Sequence, residues 1–213
     1  MVLATVAMTC WLTSADAETL DRVAASVGNA AITESDVNAE HRFELFLKGS
    51  SNPETLDSGA FEQARDRLIE QKLLEEEAEA EEVDRTGITE AARKTLEEVR
   101  RQYPSEESYQ KSLLVLGATE EQVLSRLESE VLTLRLIDQR LRPAAWVERS
   151  EIEAYYAQDF AREFARQSKQ PVPPVDEVEA QIREILVQKK IDQLLTTWLE
   201  ELKSAYHVKI HNF

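Results

Sequence analysis

Apolar residues recur at three- and four-residue intervals through most of the chain, the period of a helix with one buried face. The clearest run is Val123, Leu124, Leu127, Val131, Leu134, Ile137 and Leu141. It opens at Thr119-Glu120-Glu121-Gln122, a capping box, and stops at Pro143. Similar spacing predicts a first helix from Thr33 to about Lys48, through Val37, Phe43, Leu45, Phe46 and Leu47. A long second helix is expected over 56–85, closed by Gly87, with Thr89 capping the next as far as Pro104. Ser105 caps a short helix that ends at Gly117, and Ser150 opens one that carries Ile152, Tyr155, Tyr156, Phe160 and Phe164. The loop Gln170-Pro171-Val172-Pro173-Pro174 separates it from a last helix over 175–206.

Two stretches break the helical period. Residues 22–27 and 30–32 are small or apolar and flank Gly28-Asn29, which reads as a tight hairpin because glycine accepts a positive φ. At the far end, His207-Val208-Lys209-Ile210-His211 alternates with period two, as a strand does. A lone strand is not stable, so Val208 and Ile210 need a partner, and the hairpin is the only other strand-like segment. The expected fold is mainly α, with a small β element formed by the N-terminal hairpin and the C-terminal strand. The two ends then meet, and residues 18–213 fold as a single interleaved helical unit.

Composition agrees with long helices: there are five Gly and six Pro among 213 residues. The balance of 41 acidic to 25 basic residues, net −16, repels nucleic-acid phosphates and anionic lipid, so neither is an expected partner. The same charge keeps a protein with exposed apolar surface soluble, although many soluble proteins are simply acidic. Glu75 to Glu82 holds six glutamates and reads as a solvated helix face.

Residues 1–15 are apolar and uncharged, and Ala15-Asp16-Ala17 supplies the small-x-small pattern of a signal-peptidase site before Glu18. Residues 1–17 therefore read as a signal-peptide-like leader, although no Lys or Arg precedes the apolar run. At this length it is too short for a membrane span, which takes about 20 residues. Cys10 lacks the lipoprotein-box context, and cleavage would leave no cysteine, which suits an oxidising compartment. The expected location is the periplasm or another extracytoplasmic space.

The stretch Asp21-Arg22-Val23-Ala24-Ala25-Ser26-Val27-Gly28-Asn29, continuing through Glu34-Ser35-Asp36-Val37, resembles the opening of the SurA/PpiC-type periplasmic chaperones. Leu68-Ile69-Glu70-Gln71-Lys72-Leu73-Leu74 is similar to a second family helix, and Glu148-Arg149-Ser150-Glu151-Ile152-Glu153-Ala154-Tyr155-Tyr156 to a third. Val208-Lys209-Ile210 corresponds to the family's C-terminal return. The resemblance implies an ATP-independent chaperone whose clients are unfolded outer-membrane or secreted proteins. Many relatives carry a parvulin prolyl isomerase domain between the Tyr-Tyr helix and the last helix. Here that gap is Ala157 to Pro174, too short for a domain of about 50 residues, so no isomerase activity is expected.

The chemistry in the sequence is sparse. It has no Gly-rich phosphate loop, no G-x-S-x-G, no H-E-x-x-H and no C-x-x-C. His207 and His211, without a third ligand, read as a surface pair and not as a zinc site. No catalytic residue, cofactor or metal is expected. The candidate working surface is apolar: Trp146, Tyr155, Tyr156, Phe160 and Phe164, with Phe43, Phe46 and Leu47 as a second cluster. These residues are open to two readings, core packing or the walls of a cleft that takes extended, aromatic-rich client segments. Two functional classes follow: a holder of unfolded chains, or a structural adaptor for one folded partner. Self-association into a homodimer is left open.

Overall fold

The computed structural model describes residues 21–50, 56–168 and 170–211. The expected leader with Cys10, and the loop residues 51–55, lie outside the described residues. The chain opens with β1 (Val23–Val27) and β2 (Ala30–Thr33), joined at Gly28-Asn29 in antiparallel register, Val27 opposite Ala30. Gly28 has a φ of 55°, the left-handed region that this tight turn requires. Thr33 then caps α1 (Glu34–Leu47) by a reciprocal bond with Asp36, so strand and helix share one residue.

Next come α2 (Ser58–Ala80), α3 (Ile88–Arg101), α4 (Glu106–Leu116) and α5 (Glu120–Leu141). Asp57, Ser105 and Thr119 cap α2, α4 and α5 with side-chain oxygens, and Gly117 ends α4 at a φ of 73°. α2 stops five residues short of the expected end. Its last turn has no basic side chain, and a run of glutamates sits at the negative end of the helix dipole, where anions are unfavourable. Gly87 precedes α3 at a φ of 70° as its N-cap, and Thr89, the expected cap, lies inside that helix.

A 3₁₀ turn (Arg142–Ala144) leads into α6 (Arg149–Tyr155), a π-helical turn (Tyr156–Phe160) and α7 (Ala161–Gln167). The start is Glu148, two residues before the expected Ser150, because Glu148 and Glu151 cap each other's backbone amides. α8 (Val175–Ala205) then runs back along the molecule and turns into β3 (Lys209–Ile210).

β3 pairs antiparallel with β1, Ala25 opposite Ile210, giving the order β2-β1-β3. The expected closure of the two chain ends is present. His207 is outside the strand, in the turn that ends α8, so it shares no strand face with His211.

Three apolar clusters divide the interior. One joins the sheet, α2 and the C-terminal halves of α5 and α8, through Val27, Ile69, Leu73, Leu136, Ile191 and Trp198. A second joins α1, α3, α4 and the N-terminal half of α5. The third lies between α6 and the N-terminal half of α8, around Ile152 and Ile182. Helices α5 and α8 each run through two clusters and tie them together. Among the described residues no helix is long and apolar enough to cross a membrane.

Candidate functional site: a groove between α7 and α8

Helices α6 and α8 are strapped along one side of their contact and open along the other. On α8 the strap residues Asp176, Glu179, Arg183 and Lys190 share one face, and the groove residues Val178, Gln181, Ile185 and Lys189 another. Between the two sides, Ile152 and Ile182 are fully buried against each other's helices, and removing such side chains from water is the main attraction. Polar straps add to it. Arg149 reaches Asp176 (2.8 Å) and Glu179 (3.4 Å), Arg183 donates to the Val147 carbonyl (3.0 Å), and Lys190 donates to the Trp146 carbonyl (2.7 Å). Lys190 also pairs with Glu151 at 2.9 Å. The backbone amide of Glu148, together with Lys190, holds the Glu151 carboxyl below the usual carboxylate range.

Beyond the π turn, α7 packs mainly on that turn and diverges from α8. A groove of about 550 Å³ opens between them. Tyr155, Phe160 and Phe164 form one wall, and Val178, Gln181 and Ile185 of α8 form the other. Phe160 stacks on Tyr156 and on Phe164, with ring centroids 5.9 Å apart in both pairs. Arg162, Arg166 and Lys189 line the same space, with Asp159 and Glu163 as its acidic groups.

The π turn explains why phenylalanines face the groove. Each residue of an α-helix turns about 100°, so the residue sharing Ile152's face would be Asp159, seven positions on. A π turn advances roughly 80° per residue, and over five residues the deficit amounts to about one position. Phe160 and Phe164 thereby replace Asp159 and Glu163 on the face that carries Ile152. Phe160 accordingly packs, half-buried, against the Ile152–Ile182 cluster.

The other expected site residues fall elsewhere. Tyr156 supports the wall from behind and donates its hydroxyl to the Pro173 carbonyl at 2.8 Å, which anchors the loop into α8. Trp146 is 64% exposed in the segment before α6 and does not line the groove. Phe43 and Phe46 are 3% and 2% exposed, and Leu47 packs against the same buried cluster. The structure corrects the reading of this second group as binding surface and makes it core. Phe46 packs on Tyr103 and Tyr109 at 5.7 Å, and Tyr103 donates to the Phe46 carbonyl at 2.7 Å. Burial pushes the hydroxyls of both tyrosines above the usual phenol range, and the Glu120 carboxylate adds to the effect at Tyr109. Arg126 covers Phe43, its guanidinium 3.9 Å from the ring centroid, while pairing with the buried Glu40.

The α8 wall was not singled out as a site from the sequence. Its signal was present, since Val178, Ile182, Ile185 and Lys189 recur at helical spacing, but that spacing is equally the mark of a core face. Among the described residues, no group of three or more His, Cys, Asp or Glu side chains is placed to hold a metal ion. Compared with known proteins, the chain matches no family model, no curated sequence and no solved structure.

Proposed function

We propose that this chain is an extracytoplasmic, ATP-independent chaperone that holds unfolded or extended polypeptides, with the α7–α8 groove as its client site. The observation that carries the reading is the groove itself: an open channel between α7 and α8 with aromatic side chains on one wall, aliphatic ones on the other and polar side chains around them. An aromatic and aliphatic strip bordered by long, adaptable polar side chains suits clients of many sequences better than one defined substrate. Release would follow from modest affinity, since no nucleotide drives it. The leader-like residues 1–17 and the family resemblance support export and clients bound for the outer membrane or for secretion. The proposal includes no prolyl isomerase activity, because the segment from Ala157 to Pro174 is too short for a domain of about 50 residues.

The test is aggregation of an unfolded outer-membrane protein, followed by light scattering without nucleotide. The intact chain at near-stoichiometric ratio suppresses scattering, and Phe160→Ala with Phe164→Ala loses most of that effect while the helical content stays. An intact chain that suppresses nothing, yet captures one folded partner in pull-downs, would replace this reading with that of an adaptor.

A further inference from the structure

The charges in the groove run against those of the whole molecule. The chain carries −16, yet the groove presents three cations, Arg162, Arg166 and Lys189, against two carboxylates, Asp159 and Glu163. Glu163 is already engaged, 3.8 Å from Arg166 and bonded by the Gln167 amide. Among the described residues, Arg162 and Lys189 meet no carboxylate, and the Lys189 ammonium rests 4.5 Å from the centre of the Tyr155 ring. The other side of the same stretch of α8 is different. There Arg149, Arg183 and Lys190 are each paired with glutamate or aspartate across or along the helices. Cations are consumed as straps where the helices are closed and left uncommitted where they open.

Resting on the client-binding reading of this groove, we propose that its preferred segments carry acidic residues beside their aromatic side chains. The aromatic group enters between Phe160 and Ile185, and the flanking carboxylates meet Arg162 from α7 and Lys189 from α8. A planar guanidinium and a point-charge ammonium over an aromatic ring both suit carboxylates bound beside an aromatic strip. The acidic remainder of the molecule does not cancel this preference. At physiological ionic strength, exposed charges more than about 8 Å away are largely screened, whereas these two cations would be in contact. Lysine- and arginine-rich segments are correspondingly disfavoured inside the groove, which gives a holder of sticky chains some selectivity.

Three labelled extended peptides of equal aromatic content, flanked by Asp/Glu, by Asn/Gln or by Lys/Arg, test this by fluorescence anisotropy with the full chain. The acidic peptide binds about fivefold tighter than the neutral one, as two surface ion pairs allow, and the basic peptide binds weakest. Raising the salt narrows the gap. Arg162→Gln with Lys189→Gln removes it, and Arg162→Glu with Lys189→Glu inverts the order. Equal binding of all three peptides, or a preference for the basic one set by the net charge of the molecule, overturns the inference and leaves the client site standing. No binding of any peptide by the intact chain removes both.

Discussion

His207 shows how one backbone angle steers the end of the chain. It follows α8 at a φ of 51°, the only described non-glycine residue in the left-handed region. Its amide donates to the Ser204 carbonyl (3.2 Å) and the Val208 amide to the Lys203 carbonyl (3.0 Å). This pair of bonds is a Schellman ending, a position where glycine is usual because a side chain there is strained. The side chain of His207 is exposed and gains little from its contact with Ser204, so the backbone strain outweighs that contact. His207→Gly is expected to raise stability by about 0.5–1 kcal/mol, read as a higher urea midpoint at unchanged slope. Elsewhere the caps decide local structure in the same residue-by-residue way. Thr33, Ser105 and Thr119 stand where a cap was expected, whereas Glu148 displaced Ser150 because only Glu148 has a partner that bonds back, Glu151.

At the scale of elements, the π turn has the largest consequence for function. A single extra residue in an α-helix is commonly absorbed as such a turn, and its removal restores regular winding. Deleting Ala157 should therefore keep the two phenylalanines on the groove face and leave client binding near that of the intact chain. Deleting Ala157 and Gln158 together rotates everything beyond by about 100° and moves both rings away from α8. That double deletion should abolish client binding while circular dichroism reports nearly unchanged helix content. Loss of binding on the single deletion would mean that the π turn itself, and not the face it sets, is what the client requires.

For the whole molecule, the meeting of the two ends is the controlling feature. The His211 amide donates to the Ala24 carbonyl at 2.9 Å, and the Gly28 amide to the Tyr206 carbonyl at 2.8 Å, so the last residues of α8 and β3 close over β1. Val208 packs against the cluster shared by the sheet, α2, α5 and α8. Ending the chain after Tyr206 should cost about 2–4 kcal/mol in lost hydrogen bonds and apolar burial. Hydrogen exchange should quicken in β1 and in the C-terminal half of α8, with α3 and α4 little affected. An unchanged denaturation midpoint would show that closure by β3 adds nothing to stability.

Much of this architecture was legible in the residues because its determinants are local. Hydrophobic period, caps and glycine turns act within a few positions, so they announced the helices, the hairpin and a terminal strand in need of a partner. The fate of each aromatic cluster was not legible. Phe43 and Phe46 repeat at the same kind of spacing as Phe160 and Phe164, yet α3, α4 and α5 converge on the first pair, while α8 alone flanks the second and diverges from it. Whether a ring is covered depends on how many distant elements reach it, and a periodic pattern along one helix carries no record of that number. The winding of Tyr156–Phe160 was hidden for the same reason. Its face is chosen by packing against Ile182 and its neighbours on α8, across a loop that only the folded chain brings together.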